Sequence, residues 1–246
     1  MPKSNIQAIP FQYLVLAAIP VIITLSVFFR WSCNYFNGIY AVSRMLVQLL
    51  IIGYFLTYIF QSDCAFIVLG VVAFMLLVSA WISLRTVPHK RKSVYFKALL
   101  ALFIGGASTL ALMSLAILQL QPWYMPKYFI PLAGMVFANS MNSISLAADR
   151  INAELGRGES YCSARNTAFK AALIPTTNSL FAVGLVSIPG MMTGQILSGI
   201  PPLIAVRYQI MIMCMIFGTS GITTALFLSF SKNNFGGEQS LCNKGQ

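Results

Sequence analysis

The chain has 246 residues, of which 58% are hydrophobic and 9% charged, with a mean hydropathy of +0.78 and a formal net charge of +11 at pH 7. A soluble domain carries about 25% charged residues, so an ordinary soluble enzyme is excluded and a membrane protein is indicated. Nucleic-acid binding is excluded on the same grounds, because the basic residues fall in loops between apolar runs and leave no amphipathic basic fold.

A bilayer-crossing helix needs about 20 apolar residues. After a short external segment, residues 1–10, seven runs approach or exceed that length: 11–29, 39–60, 64–84, 97–118, 128–147, 171–200 and 203–230. They predict an all-α membrane protein, a single permease domain over residues 11–230 built as a bundle of about seven transmembrane helices. The first run lacks a basic stretch before it and a small-residue cleavage site after it, so it reads as a retained helix rather than a signal. Residues 231–246 read as a polar, disordered tail.

Charge orients the bundle. Arg30 and Arg44 flank the first loop, Arg85, Lys90, Arg91, Lys92 and Lys97 fill the third, Arg150, Arg157, Arg165 and Lys170 the fifth, and Lys232 and Lys244 lie in the tail. Of the 16 Lys and Arg residues, only Lys3, Lys127 and Arg207 fall on the other side. Cytoplasmic loops carry the excess of basic residues, so the N-terminus is expected outside and the C-terminus in the cytoplasm of a multi-pass inner (plasma) membrane protein. A six-span alternative treats residues 171–230 as one span or a re-entrant loop and moves the tail.

The chemistry is narrowed by what the sequence does not contain. The one histidine, His89, sits in the basic third loop, and the acids Asp63, Asp149, Glu154, Glu159 and Glu238 all avoid the middle of a span. A proton relay needs a titrating group at membrane depth, and no such group is evident. Nothing matches the phosphate-binding loop G-x-x-x-x-G-K-[ST], so any ATP must be hydrolysed by another chain. Cys33, Cys64, Cys162, Cys214 and Cys242 form no CxxC pair, which is neither a disulfide framework nor a zinc signature, and reduced structural thiols are expected. No enzyme activity, cofactor or metal ligand set is assigned.

The stretch from 171 to 209 organises the rest. Pro175, Pro189, Pro201 and Pro202 each lack a backbone donor, Gly184, Gly190, Gly194 and Gly199 permit bends, and Thr176, Thr177, Asn178, Ser187, Thr193 and Gln195 are polar at membrane depth. Freed backbone groups in hydrocarbon need protein or a water-filled cavity to satisfy them. A kinked helix lining a path is therefore expected, locally unwound at the Pro189–Gly190 break, which Met191 and Met192 follow. In the fifth span Asn139, Asn142 and Ser143 share one face at i, i+3 and i+4. Small polar residues also serve simply to pack membrane helices. Met211, Cys214 and Met215 share a face too, and soft ligands suit soft metals, although methionine is more often flexible core filler. The expected transport path is Asn139, Asn142, Thr176, Asn178, Met191, Met192 and Gln195, with Pro189 and Gly190 as the helix break. The fifth loop, 148–170, is helical at both ends around Gly156–Gly158, and Glu154, Arg157 and Arg165 are its expected contacts with an ATPase.

Several runs carry a resemblance. Gln-Leu-Leu-Ile-Ile-Gly-Tyr from Gln48, Ile-Pro-Leu-Ala-Gly-Met from Ile130, Ala-Ala-Leu-Ile-Pro-Thr from Ala171, Gly-Leu-Val-Ser-Ile-Pro-Gly-Met-Met-Thr-Gly-Gln-Ile-Leu from Gly184, and Arg207-Tyr208-Gln209 closely resemble the FetB-like permeases. These are membrane subunits of ABC transporters implicated in bacterial iron export, with plant relatives linked to aluminium tolerance. The resemblance covers residues 41–228 and implies a partner similar to the FetA ATP-binding subunit. It carries over no substrate ligands. In one respect the chain departs from the family: the fifth loop is shorter, by about a dozen residues, than the helix-bearing loop of the family pattern. The function expected is the permease subunit of an ABC-type export system for metal, iron first, working as a homodimer with two ATPase chains in the lipid bilayer. An ATP-independent channel or facilitator, and export of a non-metal substrate, are the alternatives.

Overall fold

The computed structural model describes residues 10–31, 35–60 and 64–235. Every regular element among them is helical, in the order α1 Phe11–Leu16, α2 Ala18–Arg30, α3 Tyr35–Ile59, α4 Ala65–Ser83, a 3₁₀ turn Pro88–Lys90, α5 Arg91–Ala111, a π-turn Leu112–Ile117, α6 Pro126–Gly156, α7 Tyr161–Ala182, α8 Gly190–Leu197, α9 Pro202–Phe230 and α10 Lys232–Phe235. Five helical stretches among the described residues are long and apolar enough to cross a membrane: Tyr35–Ile59, Ala65–Ser83, Pro88–Ile117, Pro126–Gly156 and Pro202–Phe230.

Two of the seven expected runs behave differently. Run 11–29 is divided at Ala17 into α1 and α2. The longer piece has 13 residues and reaches only about 20 Å, short of a hydrocarbon core about 30 Å thick. Run 171–200 is not one helix. α7 continues through Pro175 to Ala182, an irregular segment covers 183–189, and α8 begins at Gly190. The unwound stretch thus runs up to and includes Pro189, while Gly190, expected to share the break, already begins α8. Pro189 has no donor to lose at the entry of a helix, and α8 is helical from Gly190, with the Thr193 amide donating to the Pro189 carbonyl at 3.0 Å. The irregular segment turns at Gly184, at φ +82°, whose amide donates to the Ser187 carbonyl at 3.0 Å, and Val183 and Ser187 form a parallel bridge.

The described residues fall into two compact units. The first lies within residues 1–62 and 197–199, the second within 63–196 and 200–246. In the first, α2 and α3 pack closely: a Cβ on Gly38 would stand 2.8 Å from the Leu25 side chain, and the Phe29 and Tyr35 rings meet edge-on at 5.4 Å.

In the second unit α4, α5, α6, α7 and α9 surround two buried clusters. One is built on Leu84, Val94, Leu102, Ile144, Ile151 and Phe227, the other on Leu110, Leu132, Val136, Phe137, Ile212 and Met215. Helices approach closely at α5, where a Cβ on Gly105 would lie 2.5 Å from Thr223 Cγ2 of α9 and one on Gly106 2.7 Å from the Phe137 ring of α6. Small residues at such crossings are how membrane helices pack without a hydrophobic drive between them.

Three bonds cross between elements on the side of the α4–α5 and α6–α7 turns. Thr86 Oγ1 donates to the Ser145 carbonyl at 3.2 Å, the Tyr161 hydroxyl to the Leu228 carbonyl, and Lys97 Nζ to Asn234 Oδ1. Burial raises the Tyr161 pKa above its ordinary value, with Arg165 opposing. The expected disordered tail is ordered at its start: Phe235 is buried and meets the Phe227 ring edge-on at 6.4 Å. Residues 236–246 lie outside the described residues, as do residues 1–9 of the expected external segment. Cys162 is disulfide-bonded, against the expectation of reduced thiols throughout.

Candidate functional site

A cavity of about 290 Å³ opens between α6, α7, the irregular segment and α9. Its α6 wall is Asn139, Asn142, Ser143 and Leu146, residues three or four apart that a 3.6-residue repeat stacks on one face. Its α7 wall is Ala172, Pro175, Thr176 and Ser179, again one face, with Val183 just past the helix end. Ser187 and Pro189 close one side from the irregular segment, and Met213 and Ile216 of α9 the other. No lining side chain is ionisable.

The polar groups divide between structure and cavity. Asn139 Nδ2 donates to the Met135 carbonyl of its own helix at 2.8 Å, which leaves Oδ1 as the free acceptor. The Ser179 hydroxyl donates to the Pro175 carbonyl at 3.0 Å. Ser143 and Thr176 are buried among protein atoms yet bordering the cavity. What results is a set of amide and hydroxyl oxygens with no net charge. Oxygen donors of this kind suit hard cations and hydrated species.

Four of the nine sequence-predicted path and break residues line the cavity: Asn139, Asn142, Thr176 and Pro189. The others lie elsewhere. Asn178 is exposed; it stands two residues from Thr176, about 200° around α7. Met191 lines a smaller pocket of about 30 Å³ with Met135, Met211 and Tyr208. Met192 and Gln195 are half-buried on α8, and Gly190 is exposed at its start. The Gln195 Oε1 is buried without a hydrogen-bond partner. Met211, Cys214 and Met215 occupy three environments, the small pocket, an exposed position and the core respectively. Among the described residues no group of three or more His, Cys, Asp or Glu is placed to hold a metal ion. The expected path did not include Ser179, Ser187 or Met213, although Ser187 stands among the polar residues of the 171–209 stretch. The signal for Ser179 was its spacing from Thr176 and Ala172, not its polarity.

The α6–α7 turn carries the expected ATPase contacts. α6 ends at Gly156, Gly158 adopts φ +87°, and Ser160 caps α7 by accepting from the Ser163 amide. Glu154 is only 8% exposed and pairs with Arg150 at 2.7 Å and Arg157 at 3.2 Å. Arg157 remains exposed, and Arg165 donates to the Asn166 side chain at 3.1 Å and 3.3 Å.

Comparison with known proteins agrees with this architecture. The family model described as "Uncharacterised protein family (UPF0014)" matches residues 11–162 and 156–235. The two pieces meet in the α6–α7 turn. The chain is 37% identical over 201 residues to the UPF0014 membrane protein slr1647 of Synechocystis, covering 76% of this chain and 78% of that one. It is 35% identical over 211 residues to the probable iron export permease protein FetB of Escherichia coli, covering 79% and 80%. It is 32% identical over 227 residues to the protein ALUMINUM SENSITIVE 3 of Arabidopsis thaliana, covering 85% and 81%. No solved structure matches the chain. A helical membrane chain with these relatives, matched by the family model along almost its whole described length, belongs to the UPF0014 family of membrane proteins.

Proposed function

We propose that this chain is the permease subunit of an ABC-type export system of the inner (plasma) membrane, driven by a separate FetA-like ATP-binding subunit and working as a homodimer with two such chains. The observation that carries the reading is the uncharged cavity at the place where α7 gives way to irregular backbone. Non-helical backbone at membrane depth is tolerated where protein buries it or water-filled space borders it, and broken helices of this kind border substrate sites in transporters. The lining offers no titrating group for proton coupling, and the sequence has no nucleotide-binding loop, so the energy comes from a partner.

The cargo is a metal ion, iron first. The oxygen-donor lining suits a hard cation, and the names of the Escherichia coli and Arabidopsis relatives speak of iron export and aluminium sensitivity. The basic pole faces the cytoplasm by the positive-inside rule. There Glu154, Arg157 and Arg165 shape the α6–α7 turn for the ATPase. Asn139, Asn142 and Thr176 form the chamber, and Asn178, Met191, Met192 and Gln195 belong to the onward route past Pro189 and Gly190.

Cells that depend on the exporter test this. Asn139→Leu and Thr176→Val each remove one polar contact with cargo, and an iron-accumulation assay is expected to show about a fivefold loss of export for each. The exposed Phe181→Leu is expected to change nothing. Unchanged accumulation in both chamber variants at normal protein level would refute the chamber assignment. Metal flux in proteoliposomes without any ATPase would replace the ABC reading with a facilitator.

A further inference from the structure

The described carboxylates, Asp149, Glu154 and Glu159, all lie on α6 or the α6–α7 turn, and the ion pairs formed there go to Arg150 and Arg157. The α4–α5 turn carries Arg85, Lys90, Arg91 and Lys92, and none of these makes an ion pair among the described residues. Arg91 is fixed in place. Its guanidinium lies 3.6 Å from the centre of the Trp81 ring, and its Nε and Nη2 donate to the Trp81 carbonyl at 3.1 Å and 2.5 Å. That carbonyl belongs to the last turn of α4, where helix acceptors lack an intrahelical partner. Arg91 therefore caps α4 and keeps its Nη1 hydrogens and the second Nη2 hydrogen, an end-on fork, for another acceptor.

The surroundings grade from oil to water. Phe74 and Leu77 of α4 and Phe96 and Phe103 of α5 are exposed apolar side chains. Next along the same helices comes Trp81, 45% exposed, with Tyr95 meeting its ring edge-on at 5.8 Å. The cations follow. Exposed Trp and Tyr mark the headgroup level of a bilayer, and a planar guanidinium held in register presents forked donors that match a phosphate.

We propose that the α4–α5 turn is a binding site for the phosphate of an anionic phospholipid, held by Arg91 against Trp81 and drawn in by Arg85 and Lys92. Lys90 plays a different part, standing 4.8 Å from the centre of the Phe235 ring. A basic cluster at a membrane surface attracts anionic lipid by about fivefold in affinity per charge. The site does not depend on the transport reading: retention of lipid by a chain that moves no metal would sink that reading alone.

The test uses the full chain in nanodiscs of phosphatidylcholine containing phosphatidylglycerol, with native mass spectrometry counting the lipids retained. The expected result is preferential retention of phosphatidylglycerol, reduced about fivefold by each of Arg85→Gln and Lys92→Gln, both of which leave the Arg91 cap intact. Arg91→Lys, which keeps the charge and loses the fork, is expected to weaken retention as well. Three results would overturn the proposal. One is equal retention of the two lipids. Another is an equal loss from Arg157→Gln/Arg165→Gln at the neighbouring turn, which would mean charge alone acts. The third is unchanged lipid retention with loss of a nucleotide-hydrolysing partner, which would make this face a protein docking surface.

Discussion

Glu154 shows how far one side chain at the basic pole is committed. It is nearly buried at the end of α6, and its Oε1 receives both Arg150 and Arg157. Both arginines are partly in water, so their attraction is screened and each pair is worth well under a buried ion pair. Glu154→Gln is expected to lower stability by about 1 kcal/mol, measured as a reduced melting temperature in detergent, and to loosen the α6–α7 turn without emptying the chamber. Polarity alone could not sort the chamber residues. Thr176 and Asn178 look equivalent in the sequence, but their spacing sends them to different sides of α7. Asn139, Asn142 and Ser143 were legible because steps of three and four residues stack side chains on one face of any α-helix.

At the level of elements, the strong apolar runs were readable and the broken one was not. α3, α4, α5, α6 and α9 follow from hydrophobic length, which needs no knowledge of neighbours. Hydropathy reads straight through 171–200 because it counts side chains, whereas the interruption is decided by backbone bonds around Gly184. The 3.6-residue repeat also hid the close crossing at Gly105, which depends on a helix more than a hundred residues away. Gly105→Ala would press its methyl against Thr223 Cγ2 and within 3.3 Å of the Thr223 backbone nitrogen. Overpacking of this kind costs about 1–3 kcal/mol, and a thermal-unfolding assay should show the loss. Gly134→Ala, with only the flexible Met75 tip at 3.4 Å, is expected to be tolerated.

On the scale of the whole second unit, the bonds Thr86–Ser145, Tyr161–Leu228 and Lys97–Asn234 gather the α4–α5 turn, the α6–α7 turn and the end of α9 at one pole. The loop charges imply the same grouping, since positive residues choose a side irrespective of packing. Reporters inserted at His89 and at Gly158 are expected on the cytoplasmic side, and one at Gln121 outside. Two opposite signals from His89 and Gly158 would refute the shared pole.

The Tyr161–Leu228 tie acts as a pin between two levers. It fastens the start of α7 to the end of α9, and farther along the same two rods both contribute walls of the chamber. Under the ATP-driven reading proposed above, a push on the Gly156–Ser160 turn would pivot about this fastening and swing the walls at their far ends. Tyr161→Phe removes the pin without removing the ring. On the proposed ABC reading, its expected signature is an intact chamber whose opening no longer tracks nucleotide, read by spin labels on α7 and α9 in the chain reconstituted with a FetA-like ATP-binding subunit.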